Sequence, residues 1–329
     1  MRRVPRASLV FCLVALLYGS AACMTPAPRR EAAPEAAADE RYIDVGDALL
    51  RVRVTGPPSS TATPLVLVHG FGARLENWRA VQDALSVDRV VVAFDQKGFG
   101  KSERPDGAYG PDKHGDDVLK VMDALSIERA VVAGHSYGGG VVMRTLLRAP
   151  ERVAGVALVD ALILDEQVPT SFRWAQAPVL GEAIFSVLFS ELPGEKYVMA
   201  FHDGQRFAST KVLDEVHAMQ HQPGSTFAQL STVRAMSYRD AERGYRAAIA
   251  DLPRVVVWGE GDRVTPLRHG KKVAAAVDAP LVVVPACGHV PIIERPTAVI
   301  DAIKGVLAAA DARRPATPST SPAPTEEAP

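Results

Sequence analysis

Short apolar runs recur along the chain between about residue 41 and residue 311, and they predict a series of β-strands. Most of these runs are continuously apolar and rich in valine, which is typical of strands buried on both faces of a parallel sheet. The runs are LRVRV at 50–54, LVLVHG at 65–70, RVVVAFD at 89–95, AVVAGHS at 130–136, VAGVALVD at 153–160, RVVVWGE at 254–260 and PLVVVPA at 280–286. A further short run at 41–45 precedes GDA and predicts an antiparallel hairpin with the strand at 49–54.

Helical patterns separate the strands. Residues 77–85 and 115–125 carry apolar side chains at steps of three and four. Strands that alternate with helices predict βαβ units, and therefore an α/β fold with a mostly parallel sheet and helices on both faces. The alternation stops between about 162 and 250, where only helical patterns are found. We predict that this insertion forms a cap over the carboxyl ends of the strands, where such sheets bind ligands.

The two ends of the chain lie outside this pattern. Residues 1–22 combine an arginine-rich start with an apolar run too short to span a bilayer, which indicates an export signal. The sequence Ser-Ala-Ala-Cys ending at Cys23 resembles a bacterial lipobox, although Ser20 stands where leucine is usual. We expect an exported lipoprotein anchored to a membrane through Cys23, or alternatively a periplasmic or secreted protein. Residues 23–40 and 312–329 are low in complexity and predict a disordered linker and a disordered tail.

Composition narrows the function classes. The chain has 329 residues, 47% of them apolar and 23% charged, and a formal net charge of −1. That balance disfavours a nucleic-acid-binding surface. With Cys12 in the signal segment and Cys23 lipidated, Cys287 has no partner, so the fold does not depend on internal disulfides. The sequence shows no set of metal ligands at a characteristic spacing, and we expect no cofactor.

The segment GHSYGG at 134–139 carries the strongest chemical signal. It follows an apolar strand and precedes GGVVMRTLLRAP, which predicts a helix ending before Pro150. Strand, serine turn and helix are the setting of a nucleophile elbow, in which Ser136 is the nucleophile. Glycines at 134 and 138 would make room for the strained turn. The alternative is a serine that caps a helix in a glycine-rich loop.

A serine hydroxyl needs a base, and the base needs a carboxylate partner. His289 in CGHVPIIERP follows the last apolar strand and is the candidate base. Asp262 in WGEGDRVTP follows the preceding strand and is the candidate acid. Asp160, which ends the strand before the cap, is an alternative acid, and Glu260 is a weaker one. The chain order serine, acid, histidine is the one expected of such a hydrolase.

Five motifs together resemble the α/β-hydrolase superfamily, specifically its capped branch of esterases, C–C bond hydrolases and haloperoxidase-like enzymes. They are HGFG at 69–72, FDQKGFGKS at 94–102, GHSYGG at 134–139, GEGDRVTP at 259–266 and CGHVPIIERP at 287–296. The resemblance implies an eight-stranded sheet, a core formed by 41–161 and 251–311, and a helical cap at 162–250. It also implies an oxyanion hole made by the backbone N–H groups of Phe71 and Tyr137.

These features favour a serine hydrolase that cleaves carboxylic esters of small or medium apolar substrates through an acyl-enzyme on Ser136. The same residues would also suit a C–C bond hydrolase or a haloperoxidase-like enzyme. A non-catalytic binding protein built on the same scaffold is the third hypothesis. Serine rather than aspartate at 136 disfavours the epoxide hydrolases and haloalkane dehalogenases of the superfamily.

Overall fold

The computed structural model describes residues 25–185 and 193–314, and the following description is confined to them. The predicted signal segment 1–22, the predicted lipidation site Cys23 and most of the predicted tail lie outside the described residues. Within the described ranges, no helix combines the length and the apolar character that crossing a bilayer would require.

An eight-stranded, mostly parallel sheet forms the centre of the molecule, as the sequence predicts. Its order is β1-β2-β4-β3-β5-β6-β7-β8. Strand β2 is antiparallel to both of its neighbours, and all the remaining pairs are parallel. The strands are β1 (Glu40–Asp44), β2 (Leu49–Thr55), β3 (Leu65–Val68), β4 (Val91–Phe94), β5 (Ala130–His135), β6 (Val153–Val159), β7 (Arg254–Gly259) and β8 (Leu281–Val284).

Helices connect the strands and cover both faces of the sheet. They are α1 (Arg79–Leu85), α2 (Pro111–Ala124), α3 (Tyr137–Arg148), α4 (Thr170–Ala175), α5 (Leu180–Ile184), α6 (Pro193–Ala200), α7 (Gly204–Phe207), α8 (Thr210–Gln220), α9 (Ser225–Arg234), α10 (Arg239–Ile249), α11 (Leu267–Ala276), α12 (Pro291–Glu294) and α13 (Pro296–Ala312). Single 3₁₀ turns occur at Leu75–Trp78, Pro150–Arg152 and Asp165–Gln167. Helix α2 starts four residues before the predicted 115, because Pro111 occupies its first position, where proline is favoured.

The apolar core has two layers, one on each face of the sheet. Helices α1 and α13 contribute side chains such as Val81 and Ile303 to one layer, and α2, α3 and α11 contribute to the other. Residues of β3, β4 and β5 are fully buried on both faces, which explains their continuous apolar sequence. Strand β8 departs from this expectation: Val282 and Val283 are 37% and 39% exposed. The reason is topological, because β8 is an edge strand with one neighbour.

The segment before β1 contacts the body of the protein. The amide of Ala27 donates to the carbonyl of Arg104 at 2.9 Å. The amide of Arg30 donates to the Glu103 carboxylate at 2.6 Å, and the Arg29 guanidinium bonds Asp44 at 3.1 Å. The linker predicted for 23–40 therefore has specific contacts from Ala27 onward.

Helices α4 to α10 lie between β6 and β7 in the chain, and they contact the loops that follow the strands. Phe172 of α4 packs against Phe71 after β3, with ring centroids 5.0 Å apart. The Ala200 carbonyl at the end of α6 accepts from the amide of His289 after β8, at 2.7 Å. The helical insertion therefore covers the carboxyl ends of the strands.

Candidate active site

Ser136 occupies a strained turn between β5 and α3. Its φ of 51° and ψ of −122° are rarely adopted by a residue with a side chain. The turn requires glycine on both sides: a Cβ on Gly134 would lie 2.4 Å from the carbonyl oxygen of Gly138, and one on Gly138 would lie 2.4 Å from that of Val68. The two glycines singled out in the sequence are thus explained by close approach of backbone to backbone.

Three side chains from separate loops form a continuous hydrogen-bond chain. The Ser136 hydroxyl lies 2.9 Å from His289 Nε2, and His289 Nδ1 lies 2.7 Å from Asp262 Oδ2. In this geometry Nδ1–H donates to the carboxylate, so Nε2 is left to accept from the hydroxyl. The structure therefore brings together the predicted nucleophile, base and acid.

Asp262 is held as an acceptor by the turn that follows β7. Its Oδ1 accepts from the amides of Val264 and Thr265 at 2.7 and 2.9 Å, and its Oδ2 accepts from the Thr265 hydroxyl at 2.7 Å. Burial alone would raise the pKa of Asp262, but the electrostatic interaction with His289 and the side-chain hydrogen bonds to Asp262 outweigh it and lower the pKa to about 2. Asp262 is consequently ionised at neutral pH. Thr265 was not identified from the sequence, although its place three residues after the acid is a signal for such a turn.

Asp160, the alternative acid, has a different place in the site. It is fully buried at the end of β6, and its Oδ1 accepts from the amide of Gly259 at 3.0 Å. Burial, together with the negative charge of Asp262 and a hydrogen bond to it, raises the pKa of Asp160 well above its usual range. The neutral form of Asp160 is therefore favoured, and the acid beside His289 is Asp262.

His135 is a neighbour of the triad that sequence reasoning did not single out. Its Nε2–H donates to the backbone carbonyl of His289 at 2.7 Å, and the two rings lie 5.1 Å apart. Burial, with a smaller electrostatic contribution from His289, lowers the pKa of His135 to about 3, which favours the neutral ring. His135 thus fixes the backbone of the residue whose side chain faces Ser136. The sequence feature that could have identified His135 is its position directly before Ser136.

The loop carrying Phe71 lies against Ser136. A Cβ on Gly70 would lie 3.1 Å from Ser136 Cβ. His69 fixes this loop, since its Nε2 accepts from the Gln96 amide at 3.1 Å and its Nδ1 bonds the Gly70 carbonyl at 2.8 Å. Tyr137 begins α3, and the first amides of a helix have no partner within the helix. This placement is consistent with the prediction that the Phe71 and Tyr137 amides form the oxyanion hole.

Aromatic side chains surround the approach to Ser136. Phe71 contacts Phe99 at 5.5 Å, Tyr137 at 6.3 Å and Phe172 of the cap at 5.0 Å. The Tyr137 hydroxyl lies 2.8 Å from His114 Nδ1, so this tyrosine is satisfied within the core. Aromatic rings therefore fill the contact between the cap and the loop after β3.

One group of potential metal ligands exists among the described residues. Asp160, Asp262 and His289 each offer an atom within 4.8 Å of the others. These atoms already serve the hydrogen bonds of the triad, because Asp262 accepts from His289 and Thr265. Protein hydrogen bonds therefore account for this group without a metal.

Comparisons with known proteins agree with this geometry. The family model described as alpha/beta hydrolase fold matches residues 63–296. The 2-hydroxymuconate semialdehyde hydrolase of Pseudomonas sp. (strain CF600) is 30% identical over 276 residues, which cover 79% of this chain and 92% of that protein. The enol-lactonase of Burkholderia xenovorans LB400 superposes with a TM-score of 0.68 at 25% identity, covering 82% of this chain and 100% of that chain.

A longer protein is also similar. The dihydrolipoyllysine-residue acetyltransferase component of the acetoin cleaving system of Pseudomonas putida is 30% identical over 247 residues, 75% of this chain. The match covers 63% of that protein, so this chain spans less than two thirds of its length. Because the family model matches more than half of the chain, the protein belongs to the α/β-hydrolase fold family and is a hydrolase.

Proposed function

We propose that the protein is a serine hydrolase that cleaves carboxylic esters of small or medium apolar substrates. The observation that carries this proposal is the hydrogen-bond chain from Ser136 through His289 to Asp262, with distances of 2.9 and 2.7 Å. A serine hydroxyl becomes an effective nucleophile when a correctly oriented imidazole accepts its proton.

In the first half of the reaction, Ser136 Oγ attacks the ester carbonyl carbon while its proton passes to His289 Nε2. Asp262 stabilises the imidazolium, and the Phe71 and Tyr137 amides stabilise the negative oxygen of the tetrahedral intermediate. When the intermediate collapses, the C–O bond to the alcohol breaks and His289 returns the proton to the departing oxygen. The products are a free alcohol and an acyl ester on Ser136.

In the second half, water replaces the alcohol. His289 takes a proton from the water as its oxygen attacks the acyl carbonyl carbon. The bond to Ser136 then breaks, and the proton on His289 goes to Ser136 Oγ. The acid is released and the enzyme returns to its starting state.

Hydrolysis of p-nitrophenyl acetate, butyrate and octanoate tests the proposal. The wild-type protein should turn over the acetate and butyrate, and Ser136→Ala should lower kcat/KM by at least about 10⁴-fold, because the nucleophile is lost. Thermal unfolding of both proteins controls for folding. Equal activity of Ser136→Ala and wild type would refute the proposal, and octanoate as the best substrate would refute the preference for short acyl groups.

A C–C bond hydrolase is the second candidate, because of the similarity to a 2-hydroxymuconate semialdehyde hydrolase that covers 92% of that protein. The same serine, base and acid support attack on a carbonyl whose leaving group is a carbon. Turnover of a vinylogous diketone at a higher kcat/KM than any p-nitrophenyl ester would select this candidate.

The cellular location is part of the proposal. The lipobox-like sequence ending at Cys23 supports export and attachment to a membrane through a lipid on that cysteine. Labelling of bacteria with radioactive palmitate should mark the wild-type protein and not Cys23→Ala. Absence of label from the wild type would favour a periplasmic or secreted protein.

A further inference from the structure

The cap carries three large apolar side chains in contact with solvent. Trp174 is 60% exposed, Val179 is 72% exposed and Leu180 is 46% exposed. They lie at the end of α4, in the turn that follows it and at the start of α5. We call these three residues the cap tip. Apolar groups clustered on a surface indicate contact with a partner or a lipid phase.

The backbone of the cap tip adopts a costly conformation that projects Val179. This residue has a φ of 69° and a ψ of −48°, and the Leu180 amide donates to the Pro178 carbonyl at 2.8 Å. A three-residue turn of this kind is rare and strained, above all for a β-branched side chain. Such strain persists where the surroundings impose it, often at functional positions.

Hydrogen bonds attach this turn to the rest of the cap. The Gln176 side-chain amide donates to the carbonyls of Val233 and Met236 at 3.1 and 2.9 Å. The Gly181 amide donates to the Ala177 carbonyl at 2.9 Å. The exposed side chains are therefore presented by an ordered turn that is joined to helix α9.

Paired charges lie beside the cap tip. A cavity of about 270 Å³ is lined by the arginines Arg173, Arg234 and Arg239 together with Asp165. Arg239 bonds Asp165 and Arg234 bonds Glu182, each at 2.8 Å, and Arg173 lies 3.5 Å from Asp165. Each guanidinium group that lines the cavity is therefore paired with a carboxylate.

The N-terminal segment approaches the same helix. Ala27 contacts Gly224, directly before α9, and Arg104 joins them through its bond to Ser225 at 2.9 Å. Three residues lie between Cys23 and Ala27, so the two positions are four residue steps apart, a span of at most about 14 Å. Helix α9 has ten residues and is about 15 Å long. A lipid on Cys23 would therefore hold the cap, and not the opposite end of the sheet, next to the membrane.

We propose that the cap tip docks on a phospholipid surface, with Trp174, Val179 and Leu180 entering the interface. Tryptophan is suited to this boundary because its ring is apolar and its N–H is polar. The candidate active site beneath the cap would then lie beside the lipid.

Intrinsic fluorescence provides a direct test, since the other two tryptophans, Trp78 and Trp258, are fully buried. The full chain is reconstituted into vesicles of phosphatidylglycerol, with and without brominated acyl chains. We expect emission from Trp174 to shift to the blue, to be quenched by the brominated lipid and to become several-fold less accessible to acrylamide. Trp174→Ser should remove this signal and thereby identify its source.

Val179→Ser/Leu180→Ser is the decisive variant, and Val87→Ser is its matched control. Val87 is 81% exposed but follows α1, at the amino-terminal edge of β4. The double variant should lose most of the bromine quenching, whereas Val87→Ser should retain it. Unchanged acrylamide access in the wild type on vesicles would overturn the proposal.

Two further outcomes are distinguishable. A blue shift that grows with protein concentration in the absence of vesicles would indicate that a second copy covers the cap tip, and would overturn the proposal. Hydrolysis of a water-soluble p-nitrophenyl ester should be the same in the double variant and the wild type. An enzyme that fails this ester assay but still shows bromine quenching would refute the proposed esterase function and leave the docking intact.

Discussion

The carboxyl ends of the strands, where Ser136, His289 and Asp262 lie, differ from the cap that covers them in how many contacts hold their side chains. At the carboxyl ends of the strands, several contacts hold one side chain. Asp262, for example, accepts from two amides, a hydroxyl and His289. The helices at the front of the cap are short, with six residues in α4 and five in α5, and they expose Trp174, Val179 and Leu180. Several contacts to one side chain fix the distances that a reaction needs. The exposed side chains of the cap have fewer contacts, so they can determine selectivity and docking.

The largest effect is expected where the two buried acids differ. Asp262→Asn should lower kcat/KM by about 10⁴-fold, because an amide no longer fixes the imidazole tautomer that accepts the serine proton. Asp160→Asn should stay within about tenfold of the wild type, because its amide can donate to Asp262 as the neutral acid does. Steady-state kinetics on p-nitrophenyl acetate measures both. A loss in Asp160→Asn as large as that in Asp262→Asn would contradict the neutral role of Asp160.

Stability should respond next most strongly at the serine turn. In Gly138→Ala the new Cβ would lie 2.4 Å from the Val68 carbonyl oxygen, so we expect a loss of about 3 kcal/mol in the free energy of unfolding. Gly305→Ala in α13 is the matched control, because no atom lies within 4 Å of its new Cβ. It should stabilise the protein by about 0.5–1 kcal/mol. Urea unfolding compares them, and equal destabilisation would argue against a steric origin.

Acid should unfold the protein partly through its buried histidines. Burial lowers the pKa of His69 to about 4, and burial and nearby positive charges lower the pKa values of His114 and His135 to about 3. Below pH 6.5 the unfolded chain therefore binds protons that the folded protein does not. The free energy of unfolding consequently decreases as the pH is lowered, until the pH reaches the pKa of the histidine in the folded protein. His135→Gln should reduce this slope by about 1.4 kcal/mol per pH unit between pH 6 and pH 4.

Urea unfolding of the wild type and His135→Gln across that range measures the difference. The raised pKa values of the buried carboxyls Asp95, Asp117 and Asp160 increase the free energy of unfolding as the pH is lowered, which opposes the effect of the histidines. They are present in both proteins and cancel in the comparison. Identical slopes would show that His135 is protonated in the folded state.

The smallest expected effect lies in the cap. Phe172→Ala removes the ring that packs on Phe71 at 5.0 Å, and it should raise KM for p-nitrophenyl butyrate about fivefold with little change in kcat. Trp174→Ala on the same helix is the control, because its side chain is 60% exposed. We expect it to leave both constants unchanged for a soluble ester. A fall in kcat with Phe172→Ala would mean that the cap also positions the reacting groups.

Much of this architecture could be predicted from the sequence, because each pattern that indicates it lies within a few consecutive residues. The apolar runs gave the strands of the sheet to within about two residues, and GHSYGG gave the turn at Ser136. His289 and Asp262 were recognised because each follows an apolar strand, and the structure places them in one hydrogen-bond chain. Their catalytic roles and the oxyanion hole stay predictions for the experiments above.

Other features could not be read in this way, since they depend on which segments meet in space. The choice between Asp160 and Asp262 required the distances at the carboxyl ends of β6 and β7. The contact between His135 and the His289 carbonyl joins residues 154 positions apart. The exposure of Val282 and Val283 followed from the place of β8 at the sheet edge.

The sequence by itself determined the strand-and-helix alternation, the strained serine turn and the candidates for the nucleophile, the base and the acid. Each of these rests on backbone preference or on side-chain chemistry within a few residues. Only the tertiary structure decided which carboxyl is charged and which is neutral, and which apolar side chains of the cap are left in water. Those properties depend on desolvation and on neighbouring charges, which exist only once distant parts of the chain have packed together.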